Sequence, residues 1–362
     1  SSAPAEHRTQ TVGKGYGGGP PRRAESAADP TGGSHGGSTM RAVQVEQTGG
    51  PEVIKVVELD DPVPAEGELL VEVAAAGVNY IDTYLRSGLY PRPTPFVLGL
   101  EGAGTVRALG PGATGFAVGD RVAWSEAQGS YATLAVVPAA RAVHIPDAVT
   151  DEQAVGALLQ GMTAHFLVTS TYPVARGESV LVHAAAGGVG LLLTQLATAR
   201  GAHVIGTVST PEKAALAKDA GAVEVIQYTQ VADLAAEVRA LTDGQGVSVV
   251  YDGVGRTTFD ASLASLRPRG MLVLFGAASG PVPPVDPQRL NAGGSLYLTR
   301  PTLFHYVASR KELEYHSGEV FAAVANGTLN VRIGQRYPLR DARRAHEDLQ
   351  GRRTTGKLIL LP

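Results

Sequence analysis

From Ser179 onward the chain alternates between two textures, and few architectures accept that alternation. "SVLVHAA" reads as a strand and "GVGLLLTQLATAR" as a helix. "HVIGTV" is again strand-like and "PEKAALAKDA" helical, and "EVIQY", "DLAAEVRAL", "VSVVYDGV", "FDASLASL" and "GMLVLFG" continue the pattern. Strands joined in this way by helices lie parallel, each helix carrying the chain back to the edge where the next strand starts. The middle of the chain is therefore expected to be an α/β unit with a parallel sheet, a setting suited to binding a dinucleotide.

The turn "VHAAAGGVG" sits where such a unit would cradle a phosphate. In the fingerprint G-x-G-x-x-G the glycines serve the tight turn, the approach of the pyrophosphate and helix–strand packing. Here Ala185 takes the first place, Gly187 and Gly190 the second and third, and Gly188 is additional. The helix that follows offers unpaired N–H groups and the positive end of its dipole. Alone, the turn is weak evidence, a tight connection being the alternative; the surrounding alternation favours the phosphate. An NAD-preferring site would place a carboxylate about 20 residues further on to hold the ribose 2′-hydroxyl. "GTVSTPEK" has Ser209, Thr210 and Lys213 instead. Hydroxyls and an ammonium suit a 2′-phosphate, so NADPH is expected over NADH. On spacing alone Lys213 is as readily a solvated helix residue.

Before this unit, Met40 to Val149 is built from short strands and turns ("RAVQVEQ", "LLVEVAAAGV", "DRVAWSEA"), and a β-rich, barrel-like domain is expected. "TDEQ" has capping-box spacing, Thr150 at the N-cap and Gln153 three residues on. It opens a helical run to Leu159, with another expected through His165 and Leu167. From Pro301 come a long helix closed by Gly327, a second helix in "DARRAHEDLQG" and a strand, "KLILLP", returning to the first domain. Residues 1–39 are Gly/Pro/Ser-rich without a hydrophobic period and are expected to form a disordered extension.

Bulk properties narrow the chemistry. The 362 residues, 44% hydrophobic, suffice for two domains, and a net charge of −3 argues against nucleic acid as partner. No apolar run is long enough for a membrane span. With no cysteine there is no disulfide, zinc ribbon or thiol nucleophile, and a cytoplasmic setting is expected. The histidines lack metal-ligand spacing, and no G-x-S-x-G elbow is present. The chemistry is left to a cofactor.

Six segments occur in order: "GVNYIDTYLRSGLY" (77–90), "LGLEGAGTV" (98–106), "QGMTAHFL" (160–167), "HAAAGGVG" (183–190), "YDGVG" (251–255) and "SLYLTRPTL" (295–303). Together they resemble the quinone oxidoreductase branch of the zinc-independent medium-chain dehydrogenases/reductases, from Met40 to Pro362. The resemblance implies a GroES-like β-rich catalytic domain (40–162 and 301–362) interrupted by a Rossmann domain with a doubly wound parallel sheet (163–300). Zinc-dependent relatives carry a cysteine where this chain has Asn79 and a histidine where it has Leu100, so no metal is expected.

By the same resemblance, Asn79 and Thr163 contact the nicotinamide end of NADPH, and Ala186, Gly187, Gly188, Val189 and Gly190 line the pyrophosphate. Ser209, Lys213, Tyr228 and Arg352 surround the 2′-phosphate, with Arg353 an alternative to its neighbour. Phe275, Gly276 and Ser279 cover the nicotinamide. Tyr84 and Tyr90 line the substrate pocket, or else pack the wall of the β-domain, and Trp124 and Glu126 would alter its rim. The expected activity is metal-free reduction of a small-molecule quinone or enone. An enoyl-thioester or alkenal reductase and a non-catalytic NADPH-binding protein are the alternatives, Arg92 being a lone cation for a thioester's carrier arm. The apolar edge "GGSLYLTR" (293–300) points to a homodimer paired near Ser295–Thr299.

Overall fold

The computed structural model describes residues 38–362. The expected disordered extension thus lies outside the described residues except for its last two, and Thr39 already opens the first strand. The first part of the chain runs β1 (Thr39–Val45), β2 (Ile54–Asp60), β3 (Glu68–Val78), α1 (Tyr80–Ser87), β4 (Phe96–Val97), β5 (Glu101–Leu109), β6 (Arg121–Trp124), β7 (Leu134–Pro138) and β8 (Val143–His144). In β3, Leu69, Val71 and Val73 are buried while Glu72 is exposed, the alternation of a strand with one face in a core. The helix α1 interrupts a region whose sequence predicts only strands and turns. It starts after Asn79 and stops at Gly88, whose left-handed φ of 83° ends the helix.

Then come α2 (Asp151–Phe166), β9 (Ser179–Val182), α3 (Gly188–Ala199), β10 (His203–Val208), α4 (Pro211–Asp219), β11 (Glu224–Gln227), α5 (Leu234–Ala240), β12 (Val247–Asp252), α6 (Phe259–Ala264), β13 (Leu266–Leu274), α7 (Gln288–Ala292) and β14 (Tyr297–Thr299). Thr150 caps α2 in a capping box with Gln153, as the spacing predicts. The two helical runs expected here are one continuous helix. Gly156 and Gly161 do not break it because they sit where Val331 and Val320 press against its backbone, leaving no room for a side chain. The six later strands form one parallel sheet in the order β11-β10-β9-β12-β13-β14. The central β12 is buried at every position, as a strand covered by helices on both faces must be. Strand order reverses between β9 and β12, and the crevice at their carboxyl ends is where open sheets of this kind bind ligands.

The chain closes with α8 (Leu303–Tyr306), α9 (Arg310–Ala325), β15 (Ile333–Pro338), α10 (Ala342–Gln350) and β16 (Lys357–Leu361). Asn326 caps α9, and Gly327, at φ 79°, falls one place beyond the expected end. β16 pairs antiparallel with β3, setting Leu358 opposite Val78. That register brings the last strand beside the start of α1.

Candidate functional site

The Gly-rich turn leaves β9 and enters α3 at the crevice. Ala184 adopts a left-handed φ of 50°, and the Gly187 N–H donates back to its carbonyl at 2.9 Å. Ala185 is fully buried, and its methyl is accommodated because Gly206 of β10 presents no Cβ opposite it. The missing first glycine is thus made good in the neighbouring strand. A Cβ at Gly190 would overlap the Ala184 carbonyl oxygen, so the third glycine is required. The first N–H groups of α3, from Gly188 to Gly190 beside Val189, face the turn with no intrahelical acceptor. Gly356 donates to the Ala186 carbonyl at 3.0 Å, laying the segment before β16 along this turn.

At the end of β10, Ser209 precedes Thr210, which caps α4 by accepting from the Lys213 N–H at 3.3 Å. The Lys213 ammonium donates to the Arg352 carbonyl at 2.7 Å. Burial, and next the Arg352 guanidinium, hold Lys213 below the ordinary lysine range. Neither cation has a carboxylate in ion-pair range among the described residues. Tyr228 follows β11, and its neighbour Thr229 donates to the Ser209 carbonyl at 3.2 Å. These four residues therefore gather at one spot, whereas Arg353 turns away to pair with Asp348 at 2.8 Å.

Tyr84 and Tyr90 stand 5.3 Å apart between ring centroids. The Tyr84 hydroxyl accepts from Ala277 N at 3.1 Å, joining α1 to the loop after β13 that carries Phe275, Gly276 and Ser279. Burial pushes Tyr84 up to about 12. Tyr90 is exposed, with Arg300 Nη2 3.5 Å from its hydroxyl. Gly276 packs against the Gly253 backbone where a Cβ would not fit. The Ser279 hydroxyl is engaged within its loop, donating to Val254 O at 2.8 Å and accepting from Thr257 N at 3.0 Å. Thr163, buried on α2, donates to Leu159 O at 2.7 Å.

Asn79 is buried at the start of α1 among residues that no sequence motif marks. Its amide contacts Glu101, Gln160 and Lys357. No sequence spacing announces this set, because Lys357 reaches Asn79 only through the β16–β3 pairing. Trp124 corrects a second expectation. It is fully buried, donating to the Ser130 hydroxyl at 2.8 Å and lying over Gly102, so it belongs to the core and not to a pocket rim. Glu126 pairs with Arg141 at 3.1 Å, and burial holds its carboxyl above the usual range.

Beneath α1, Asp82 accepts from Asn79 N at 2.9 Å and from the Tyr131 hydroxyl at 2.9 Å. Tyr131 Oη lies 3.2 Å from His346 Nε2, and Arg86 donates to His346 Nδ1 at 3.0 Å. Burial lowers His346 to about 3 and raises Asp82 to about 7. His346 stays neutral in the fold while the unfolded chain takes up a proton below about 6.5, so its contribution is lost on acidification. Asp82 acts oppositely, its contribution being full at low pH and lost as pH rises towards 7. A His346→Gln variant is expected to lose less stability between pH 6.5 and 4 than the wild type, by up to about 3 kcal/mol. Urea unfolding at the two pH values measures this; equal slopes would refute it.

Two family models match the chain, the alcohol dehydrogenase GroES-like domain over residues 65–147 and the zinc-binding dehydrogenase over 188–315. A quinone oxidoreductase of Pseudomonas aeruginosa is 46% identical over 324 residues, covering 89% of this chain and 99% of the relative. The chain belongs to the quinone oxidoreductases of the medium-chain dehydrogenase/reductase family. A mycobacterial protein solved in complex with NADPH is 57% identical with a TM-score of 0.87, covering 89% of this chain and 100% of that one. Escherichia coli quinone oxidoreductase, also complexed with NADPH, is 45% identical with a TM-score of 0.87 over the same shares. The architecture is therefore that of the family, a GroES-like domain with a Rossmann-like parallel sheet.

Zinc, which one family model carries in its name, does not fit here. The chain has no cysteine, and Leu100 offers no donor atom. The Asn79 carbonyl oxygen is already taken by the Lys357 ammonium at 2.8 Å, a cation that would repel a metal ion. Among the described residues no group of three or more metal-ligating side chains converges, and no helix is long and apolar enough to cross a membrane.

Proposed function

We propose that this quinone oxidoreductase uses NADPH to reduce a small-molecule quinone or related enone without a metal. The observation that carries the reading is the contact between Tyr84 and Ala277, which puts an aromatic pair against the loop after β13. NADPH, when bound, supplies a hydride. The chain's own residues do the rest. The first turn of α3 receives the pyrophosphate on unpaired N–H groups, with Ala186 and Val189 beside it. Ser209, Lys213, Tyr228 and Arg352 hold the 2′-phosphate. Thr163, Phe275, Gly276 and Asn79 line the nicotinamide end, Ser279 serving mainly to brace its loop. Tyr84 and Tyr90 offer ring faces to a planar acceptor. Tyr84 accepts a hydrogen bond from the backbone and keeps its own proton at neutral pH, so it can donate to a developing oxyanion.

A thioester substrate is less well served. Arg92 lies over the Phe96 ring, 5.8 Å from its centroid, and no second cation in "GLYPRPTPF" joins it to receive a carrier-arm phosphate. The deciding experiment is steady-state turnover with NADPH on 1,4- and 1,2-quinones, a simple enone, an alkenal and a short enoyl-CoA. Turnover of quinones or enones is expected. Turnover of the thioester or alkenal alone would favour that alternative, and tight NADPH binding with no turnover a non-catalytic role.

The same reading assigns residues 40–162 and 301–362 to the catalytic unit and 163–300 to the cofactor unit, supported by the shared sheet of β3 and β16. A cysteine-free chain goes with a cytoplasmic site of action. A homodimer through β14 is supported by its place at the sheet edge, with Tyr297 59% exposed. The strand is short, beginning only at Tyr297 after the turn at Gly293 and Gly294. Light scattering at micromolar concentration is expected to give the mass of two copies, and Tyr297→Lys that of one. A wild-type monomer would contradict the pairing.

A further inference from the structure

Asn79 is held far more completely than the N-cap of a short helix requires. Its Oδ1 accepts from Lys357 Nζ at 2.8 Å and from Gln160 Nε2 at 3.1 Å, and its Nδ2 donates to Glu101 Oε2 at 2.8 Å. Both lone pairs of Oδ1 are thereby used, and one of the two Nδ2 protons has no acceptor among the described residues. A flipped amide would set its NH2 against an ammonium and a second donor, and its carbonyl against a carboxylate. Only one orientation survives.

The partners are themselves fixed. Lys357 and Glu101 form an ion pair with essentially no solvent exposure. Glu101 Oε1 accepts from Leu159 N at 2.8 Å, so the carboxylate is pinned from the α2 side. Gln160 lies against Gly188, whose Cβ, if present, would overlap its carboxamide. The amide is thus tied to the phosphate turn as well as to β5 and β16. A buried ion pair is a weak stabiliser, often replaced by apolar side chains at no cost, so stability alone does not account for this one.

We propose that Lys357, anchored by Glu101, is a positioning residue that fixes the Asn79 amide so that it presents one N–H, and no carbonyl, to the nicotinamide end of the site. The inference rests on the reading of that site as a hydride-transfer centre. What Asn79 can recognise is then an oxygen acceptor, supplied either by the cofactor or by the oxygen of the acceptor substrate.

The test is a double-mutant cycle on kcat with Lys357→Met, Asn79→Ala and the pair. Lys357→Met is expected to lower kcat roughly tenfold, and the double variant to be no slower than Asn79→Ala alone. Multiplicative losses, or an unchanged kcat in Lys357→Met, would overturn the proposal. If Lys357→Met does not fold, Gln160→Leu removes the other donor to Oδ1, and the same coupling with Asn79→Ala is required of it. A second measurement needs no turnover. Labelling with 15N-asparagine reports Asn79, Asn291, Asn326 and Asn330, the chain's asparagines, and Asn79→Ala assigns the signal. The Asn79 side-chain pair should shift on adding NADP+ if the cofactor supplies the oxygen, or only with a quinone present if the substrate does. In Lys357→Met (or Gln160→Leu) that response should be lost. An Asn79 signal indifferent to both ligands, or a response that survives the substitution, refutes the positioning role. Failure of quinones, enones, alkenals and thioesters alike to turn over would instead remove the hydride-transfer reading while leaving this second measurement interpretable.

Discussion

A single methyl group added at Gly190 is expected to raise the Kd for NADPH at least about 100-fold. The new Cβ would meet the Ala184 carbonyl oxygen and the Ala185 Cα, both backbone atoms that no rotamer change can clear. The turn has no slack, since Ala184 is already left-handed and the Ala185 methyl already fills the space opposite Gly206. The first turn of α3 must therefore move away from β9, taking its unpaired N–H groups out of reach of the pyrophosphate. Overpacking costs about 1–3 kcal/mol and each lost charge-assisted hydrogen bond about 1.5–3. Together these correspond to roughly two to four orders of magnitude in affinity. Gly318→Ala is the control, because nothing lies near the added methyl and alanine is the better helix former. Fluorescence titration with NADPH reads both variants. Binding by Gly190→Ala within about threefold of wild type would show that the N–H cradle is not the pyrophosphate site.

The alternation after Ser179 was legible because central parallel strands such as β12 are buried at every position and mostly apolar, while helices such as α4 and α5 carry charged residues. The capping box at Thr150 was legible because its chemistry is local. The helix α1 was not, since eight residues followed at once by "GLYPRPTP" give too short a period to register. Nor could α2 be seen as one helix, because the reason it tolerates Gly156 and Gly161 lies in Val331 and Val320, which only folding brings near. The site divides in the same way. Lys213 could be placed from its distance to the glycines, but Lys357, 278 residues from Asn79, reads as an ordinary strand start in "GKLILLP". Trp124 stands where relatives often carry other residues, which placed it at a pocket rim, but its actual place over Gly102 depends on pairing between β5 and β6. Local motifs carried the cofactor half, and long-range pairing carried the catalytic half.

Lys213→Ala is expected to lower kcat/KM for NADPH roughly 10- to 150-fold while leaving that for NADH unchanged. Lys213 and exposed Arg352 are two like charges within one another's field, and each depends on the other's position through the 2.7 Å bond from Lys213 Nζ to the Arg352 carbonyl. Without a carboxylate between them, the arrangement is relieved only by an anion. A 2′-phosphate supplies that anion, and NADH has none. Loss of one charge-assisted hydrogen bond is worth about 1.5–3 kcal/mol, which sets the range. Salt separates this from a packing effect, because the wild-type KM for NADPH should rise with ionic strength more steeply than that of the variant. Arg352→Ala should weaken NADPH in the same direction. The paired variant should fall further, though by less than the product, because removing either cation also relieves the repulsion felt by the other. Equal losses for NADPH and NADH in Lys213→Ala would mean that the lysine only caps and packs α4, and the basis of cofactor choice would have to be sought at Ser209 and Tyr228.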